Sequence, residues 1–117
     1  MNKRQCGSEK EELAAAYLSG AGYLILEKNF RNRFGEIDIV AMEGRYLVFV
    51  EVKYRRDNRM GYPEEAVDRK KQRIICRVAE YYLIKNRKAS DTPCRFDVVS
   101  IDGNEIRLYR NAFLFCR

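Results

Sequence analysis

Glu36, Asp38, Glu51 and Lys53 stand in two stretches, GEIDIVAM (35–42) and YLVFVEVK (46–53), that otherwise have the apolar, β-branched character of buried strand. Valine would pack better at each of the four positions. Alternation along a strand puts Glu51 and Lys53 on one face with Leu47 and Phe49, and puts Glu36 and Asp38 on one face with Val40 and Met42. A two- or four-residue hairpin loop centred on Glu43-Gly44 gives paired residue numbers that sum to 87. Asp38 then faces Phe49, Glu36 faces Glu51, and all four charged groups converge on one side of the sheet. An odd loop without a bulge would separate Asp38 from Glu51. In the even register their Cβ atoms are diagonal neighbours about 7 Å apart. Two unit charges at that distance repel by about 2 kcal/mol at an effective dielectric near 20. A divalent cation turns that repulsion into ligation, and Mg²⁺ prefers oxygen ligands. Lys53 can then support negative charge developing on a substrate. Charges on a solvated edge strand are the alternative, but YLVFVEV is apolar on both faces, the pattern of a central strand.

The elements that must position these groups follow from periodicity. GSEKEELAAAYLSGAG reads as a first helix, with Ser8 as cap, Glu11 completing a capping box, and Gly20 and Gly22 as the stop. Leu13, Ala14, Tyr17 and Leu18 form its expected apolar stripe. Residues 23–30 are a strand ending in the basic turn Arg31-Asn32-Arg33, and 36–42 and 46–53 are two more. A polar, basic loop (54–62) leads to Pro63, which opens a helical stretch to about Asn86, with a break expected near Asp68. Val67, Ile74, Ile75, Val78, Ala79, Tyr82 and Leu83 make its buried face, and Arg69, Arg73 and Arg77 an outward basic row. RFDVVSI and EIRLYR flank Asp102-Gly103-Asn104 as a final hairpin. The order α-β-β-β-α-β-β gives an α/β sandwich, a mixed central sheet flanked by helices, and 117 residues suit one domain.

Charge narrows the partners. The net charge of +6 is confined to residues 53–88, which hold 12 Lys/Arg against 5 Asp/Glu. Such asymmetry suits a polyanion, nucleic acid before anionic membrane. No helical pattern combines a strong apolar face with an exposed aromatic edge, which disfavours a membrane-surface role. The start has no apolar core of a signal peptide, and no apolar run approaches the roughly 20 residues of a membrane span. The four cysteines form no CxxC pair and histidine is absent, which disfavours zinc. Idle thiols in a reducing, cytoplasmic setting account for them.

A carboxylate on one strand followed by E-x-K on the next resembles the PD-(D/E)XK nuclease superfamily. GSEKEELAAAYLSGAGYLILEKNFRNRFGEIDIV, FVEVKYR, MGYPEEAVDRKKQRI, CRFDVV and the closing RNAF together resemble the YraN-like family. These are small bacterial proteins, endonuclease-like by fold and similar to Holliday-junction resolvases. The resemblance spans nearly all of residues 1–117 and implies a single restriction-endonuclease-like domain. It implies Asp38 and Glu51 as metal carboxylates for Mg²⁺ or Mn²⁺ and Lys53 as the catalytic lysine. It implies a first-helix glutamate, matched best by Glu11. The family has Gly before that Glu where this chain has Lys10, and anchoring on Gly7-Ser8 instead nominates Glu9. Glu36 matches the motif as an outer-shell group. Lys71 matches a family lysine and lies near the packed helical face, so it should reach toward the sheet, with Gln72 assisting. Arg69, Arg73, Arg55 and Arg56 supply further cations for DNA, and Tyr54 and Tyr62 flank the basic loop. Resolvases cut two strands symmetrically, so the resemblance also implies a homodimer. No base-reading motif is present, which favours recognition of backbone or shape. Two functions compete: a metal-dependent nuclease acting on branched or damaged DNA, and a module that binds nucleic acid without cutting.

Overall fold

Among the described residues there are seven elements: α1 (Lys3–Gly20), β1 (Leu24–Asn32), β2 (Gly35–Glu43), β3 (Tyr46–Arg55), α2 (Arg69–Lys85), β4 (Cys94–Asp102) and β5 (Glu105–Phe113). The computed structural model describes the backbone of residues 3–55 and 67–116 and the side chains of residues 9–54 and 67–116. Arg56, Tyr62, Pro63, Glu64 and Glu65 lie outside the described residues, and Arg55 is described only as backbone. The five strands form one mixed sheet in the order β1-β2-β3-β4-β5. Only β3 and β4 run parallel, as a crossover carrying a helix between them requires.

Each helix covers one face. On the α1 side, Ala14, Ala15 and Leu18 pack with Tyr23, Ile39, Ala41, Val48, Val50, Val99 and Ile101. On the α2 side, Ile75, Val78, Ala79 and Tyr82 pack with Val40, Leu47, Phe49, Phe96 and Val98. Burial on both faces explains why β3 is apolar throughout. Asp68 caps α2, its Oδ1 accepting the Lys71 N–H at 2.7 Å, which matches the expected break there. Arg69, Arg73 and Arg77 are exposed.

Three local expectations are corrected. The first helix runs from Lys3, so Ser8 lies inside it and not at its start. Its stripe is rotated: Ala14, Ala15 and Leu18 are buried, whereas Leu13 and Tyr17 are 43% and 39% exposed. Small alanines let the helix lie close to the sheet, which leucine and tyrosine at that contact would prevent. The β2–β3 turn is Gly44-Arg45, closed by the pair Glu43–Tyr46, so paired numbers sum to 89. Gly44 takes a φ of +58°, a conformation that glycine adopts without steric cost. Val40 therefore faces Phe49, and Asp38 is next to the last pair, Ile39–Val50.

A charged network closes the end of the sheet beside that turn. Asp97, fully buried, accepts from the Tyr23 hydroxyl at 2.6 Å, from Arg95 Nε and an Arg95 terminal nitrogen at 2.9 and 2.8 Å, and from Asn111 N–H at 2.9 Å. Arg95 also donates to Glu43 Oε1 at 2.6 Å, and Arg110 donates to both Glu43 oxygens. Near the C-terminus the Cys116 thiol lies 2.9 Å from the Cys76 sulfur. Burial pushes the Cys76 thiol up to about 12, so it packs rather than reacts.

A carboxylate cluster at the fork of two strands

Glu11 continues the buried side of α1. It lies three, four and seven residues before Ala14, Ala15 and Leu18, a spacing that keeps all of them toward the sheet. Its carboxylate thus extends an apolar stripe, over the place where the β2–β3 ladder ends. Oxygens of Glu11, Glu36 and Asp38 lie within 4.8 Å of one another. Glu9 is exposed and is not part of this group.

The backbone breaks its own pattern at the centre of this cluster. Ile37 packs into the α2-side core and Ile39 into the α1-side core, although residues two apart in a regular strand share a face. The register of β1 on β2 passes from Lys28–Ile39 to Phe30–Ile37 and omits Asn29 and Asp38. Asn29 sits at φ +57°, a left-handed conformation tolerated best by asparagine among non-glycine residues. Both strands are deflected at that pair. Asp38 is left in the fork between β2 and β3, where its Oδ2 accepts the Val52 N–H at 2.8 Å. The convergence anticipated from alternation is therefore reached by interrupting it.

Glu51 is buried on the α2 side, with Lys53 Nζ 3.9 Å and Lys71 Nζ 3.7 Å from its Oε1. Lys71 reaches the sheet as its helical position suggests. Gln72 instead directs its amide to the Val67 carbonyl at 2.9 Å. Arg31 Nε lies 3.4 Å from Glu36 Oε2. The Asn29 side chain hydrogen-bonds the Glu11 carboxylate.

The electrostatics are those of acids crowded together and partly withdrawn from water. Burial, then the neighbouring Glu51 charge, pushes Asp38 up to about 7, against the opposing Val52 N–H. A proton on Asp38 hydrogen-bonds Glu51. Burial also raises Glu51, while Lys71 and Lys53 pull it down. Glu11 is raised by burial and then by Asp38, with Asn29 opposing. The donor set is all carboxylate oxygen, which suits a hard divalent cation. Glu11, Glu36 and Asp38 are the acids whose oxygens lie close enough together to share one. Glu51, expected from sequence as a ligand, lies outside that trio beside Asp38, and Glu36, expected as an outer group, lies within it.

Asn29 and the Val52 N–H were not among the residues singled out from sequence. An asparagine interrupting the apolar strand LILEKNF was the available signal for the first. A backbone donor leaves no sequence signal. Lys10, the departure from the family pattern, places its ammonium 4.5 Å from the centre of the Tyr54 ring and so occupies a base-stacking candidate.

Residues 10–101 match the uncharacterised protein family UPF0102. A UPF0102 protein of Lachnoclostridium phytofermentans is 58% identical over 113 residues, covering 97% of this chain and 96% of the relative. A UPF0102 protein of Caldicellulosiruptor saccharolyticus is 48% identical over 119 residues, covering 97% and 100%. One of Persephonella marina is 48% identical over 107 residues, covering 92% and 91%.

Proposed function

The chain belongs to the uncharacterised protein family UPF0102, the YraN-like family, and from its carboxylate cluster we propose that it is a metal-dependent nuclease that hydrolyses DNA phosphodiesters. One observation carries this reading: Glu11 of α1 and Glu36 and Asp38 of β2 are brought within 4.8 Å of one another at a deflected pair of strands, and Glu51 of β3, with two lysines beside it, neighbours Asp38. A fold gains no stability from such crowding, whereas a divalent cation that activates a phosphodiester would be held by it. Bound Mg²⁺ or Mn²⁺ would supply charge neutralisation and polarisation of a phosphoryl oxygen. Asp38, Glu11 and Glu36 would hold the cation, with Glu51 next to Asp38, and the Val52 N–H fixes the orientation of Asp38. Lys53 and Lys71 stand beside Glu51, where their ammonium groups stabilise the phosphate and the negative charge it develops. The resemblance to PD-(D/E)XK nucleases, which implies Asp38, Glu51 and Lys53 for this role, supports the same reading.

The test is a panel of duplex, single-stranded, flapped and four-way-junction DNA with Mg²⁺ or Mn²⁺. Cutting by the wild type that falls at least about a hundredfold in both Asp38→Ala and Lys53→Ala is expected. Binding to DNA without cutting of any substrate would favour the non-catalytic module.

A further inference from the structure

Arg31, Asn32, Arg33, Phe34, Gly35 and Glu36 line an open depression of about 410 Å³ at the tip of the β1–β2 hairpin. Phe34 is half-buried against the α2-side core. Two guanidinium groups lie over its ring, that of Arg33 from the turn at 4.9 Å and that of Arg77 from α2 at 4.7 Å from the ring centre. A ring anchored in the core holds both groups in place. A guanidinium stacked in this way keeps N–H edges free for the paired oxygens of a phosphate. Among the described residues neither Arg33 nor Arg77 has a carboxylate partner, whereas Arg31, Arg95, Arg107 and Arg110 each have one.

Gly35 makes this assembly compatible with the fold. A Cβ there would lie 2.6 Å from Ile74 Cγ2, and its φ is +155°. Glycine therefore lets α2 press against the hairpin tip and carries Arg77 over Phe34. The depression also adjoins the acidic cluster. Glu36 lines one and belongs to the other, and Arg31 pairs with it.

We propose that the hairpin tip, through Arg33 and Arg77 presented by Phe34, grips the sugar–phosphate backbone of a DNA strand next to the phosphate that lies at the carboxylate cluster; this rests on the nuclease reading above. The neighbouring carboxylates select a strand over a sheet of charge. An anionic bilayer laid on these arginines would also meet Glu36, whereas a strand can set one phosphate at the cation site and the next on the arginines. The Phe34 ring is covered by guanidinium, so the contact reads backbone rather than base.

The experiment is the anisotropy of a short labelled duplex with wild type, with Arg33→Ala/Arg77→Ala, and with Lys88→Ala in the loop after α2 as control, in EDTA between about 50 and 200 mM salt. Each phosphate contact contributes about 0.9 to the slope of log affinity on log salt. The double variant should lower the slope by roughly two units and weaken binding at least about tenfold. Lys88→Ala should leave the slope unchanged, and the Mn²⁺-induced rise in Tm should persist in the double variant. A double variant with the wild-type slope, or a wild type whose binding is absent or insensitive to salt, overturns the proposal. Its fate is separable from that of the nuclease reading. Weakened binding by the double variant of a protein that never cuts would sustain the grip alone. Cutting by the wild type with an unchanged slope in the variant would sustain the nuclease alone.

Discussion

Asp97 and Asp38 are both acids in the interior of the same sheet, and their surroundings are opposite. Asp97 takes donors from Tyr23, Arg95 and the Asn111 backbone, and Arg95 goes on to Glu43 and so to Arg110. Asp38 takes one backbone donor and faces Glu51, Glu36 and Glu11. The consequence is visible in proton affinity. Hydrogen bonds from Arg110 hold Glu43 down at about 2, whereas burial and Glu51 push Asp38 up to about 7. A chain able to complete one buried charge network has left the other short of cations. The first arrangement serves the fold, and the second is suited to what arrives from outside.

The largest expected effect lies in the completed network. Asp97→Ala strands Arg95, the Tyr23 hydroxyl and the Asn111 N–H together, and should cost about 3–5 kcal/mol in urea unfolding. A loss below about 1 kcal/mol would remove the contrast.

Opposite pH signatures come next. The folded Asp38 keeps a proton that the unfolded chain gives up at 3.8. Its contribution to stability is therefore full below that value and is lost as pH rises through about 7. Glu43 behaves inversely, contributing above 4.5 and losing the contribution as pH falls toward 2. Melting curves should show wild type losing stability from pH 4 to 7 relative to Asp38→Asn. Glu43→Gln should narrow the loss below pH 4. Parallel profiles for wild type and Asp38→Asn would contradict the crowding.

Asp38→Ala without metal gives a smaller change. Relief of repulsion offsets the lost Val52 hydrogen bond, so stability at pH 7 should be unchanged or raised, within about 1 kcal/mol. A loss of several kcal/mol would make Asp38 a structural residue. Smallest is Lys71→Ala. Its side chain is 40% exposed and its ammonium lies 3.7 Å from Glu51, so unfolding should shift by about 0.5 kcal/mol or less, while cutting falls by a larger factor.

How much of this was legible depends on what each feature leaves in the sequence. Element order follows from periodicity and punctuation, and the observed α-β-β-β-α-β-β with its five-stranded mixed sheet agrees. The nearness of Asp38 to Glu51 was expected from parity, which the shift from 87 to 89 preserves, but the ladder ends at Ile39–Val50 and the fork beyond it is what places Asp38. The flip between Ile37 and Ile39 was not legible, since it depends on Asn29 adopting φ +57° in a strand. The rotated stripe of α1 was hidden too. Leu13 and Tyr17 are the more hydrophobic residues, but alanines permit the closer approach. In sequence Glu11 reads both as a capping-box residue and, from the resemblance, as the first-helix glutamate; the rotation and the earlier helix start put it in the acidic cluster. The pairing of Arg33 with Arg77 joins a turn to a distant helix, and no local pattern records it.

The most direct measurement of whether the cluster awaits a cation is calorimetric titration of the wild type and Asp38→Ala with Mn²⁺ at pH 6, in two buffers of different ionisation heat. Binding by the wild type with release of a proton is expected, with a rise of about 2.7 kcal/mol in stability at a hundred times Kd. Both should vanish in Asp38→Ala. Equal binding by the two proteins, or no heat and no change in Tm at millimolar Mn²⁺, would contradict the account.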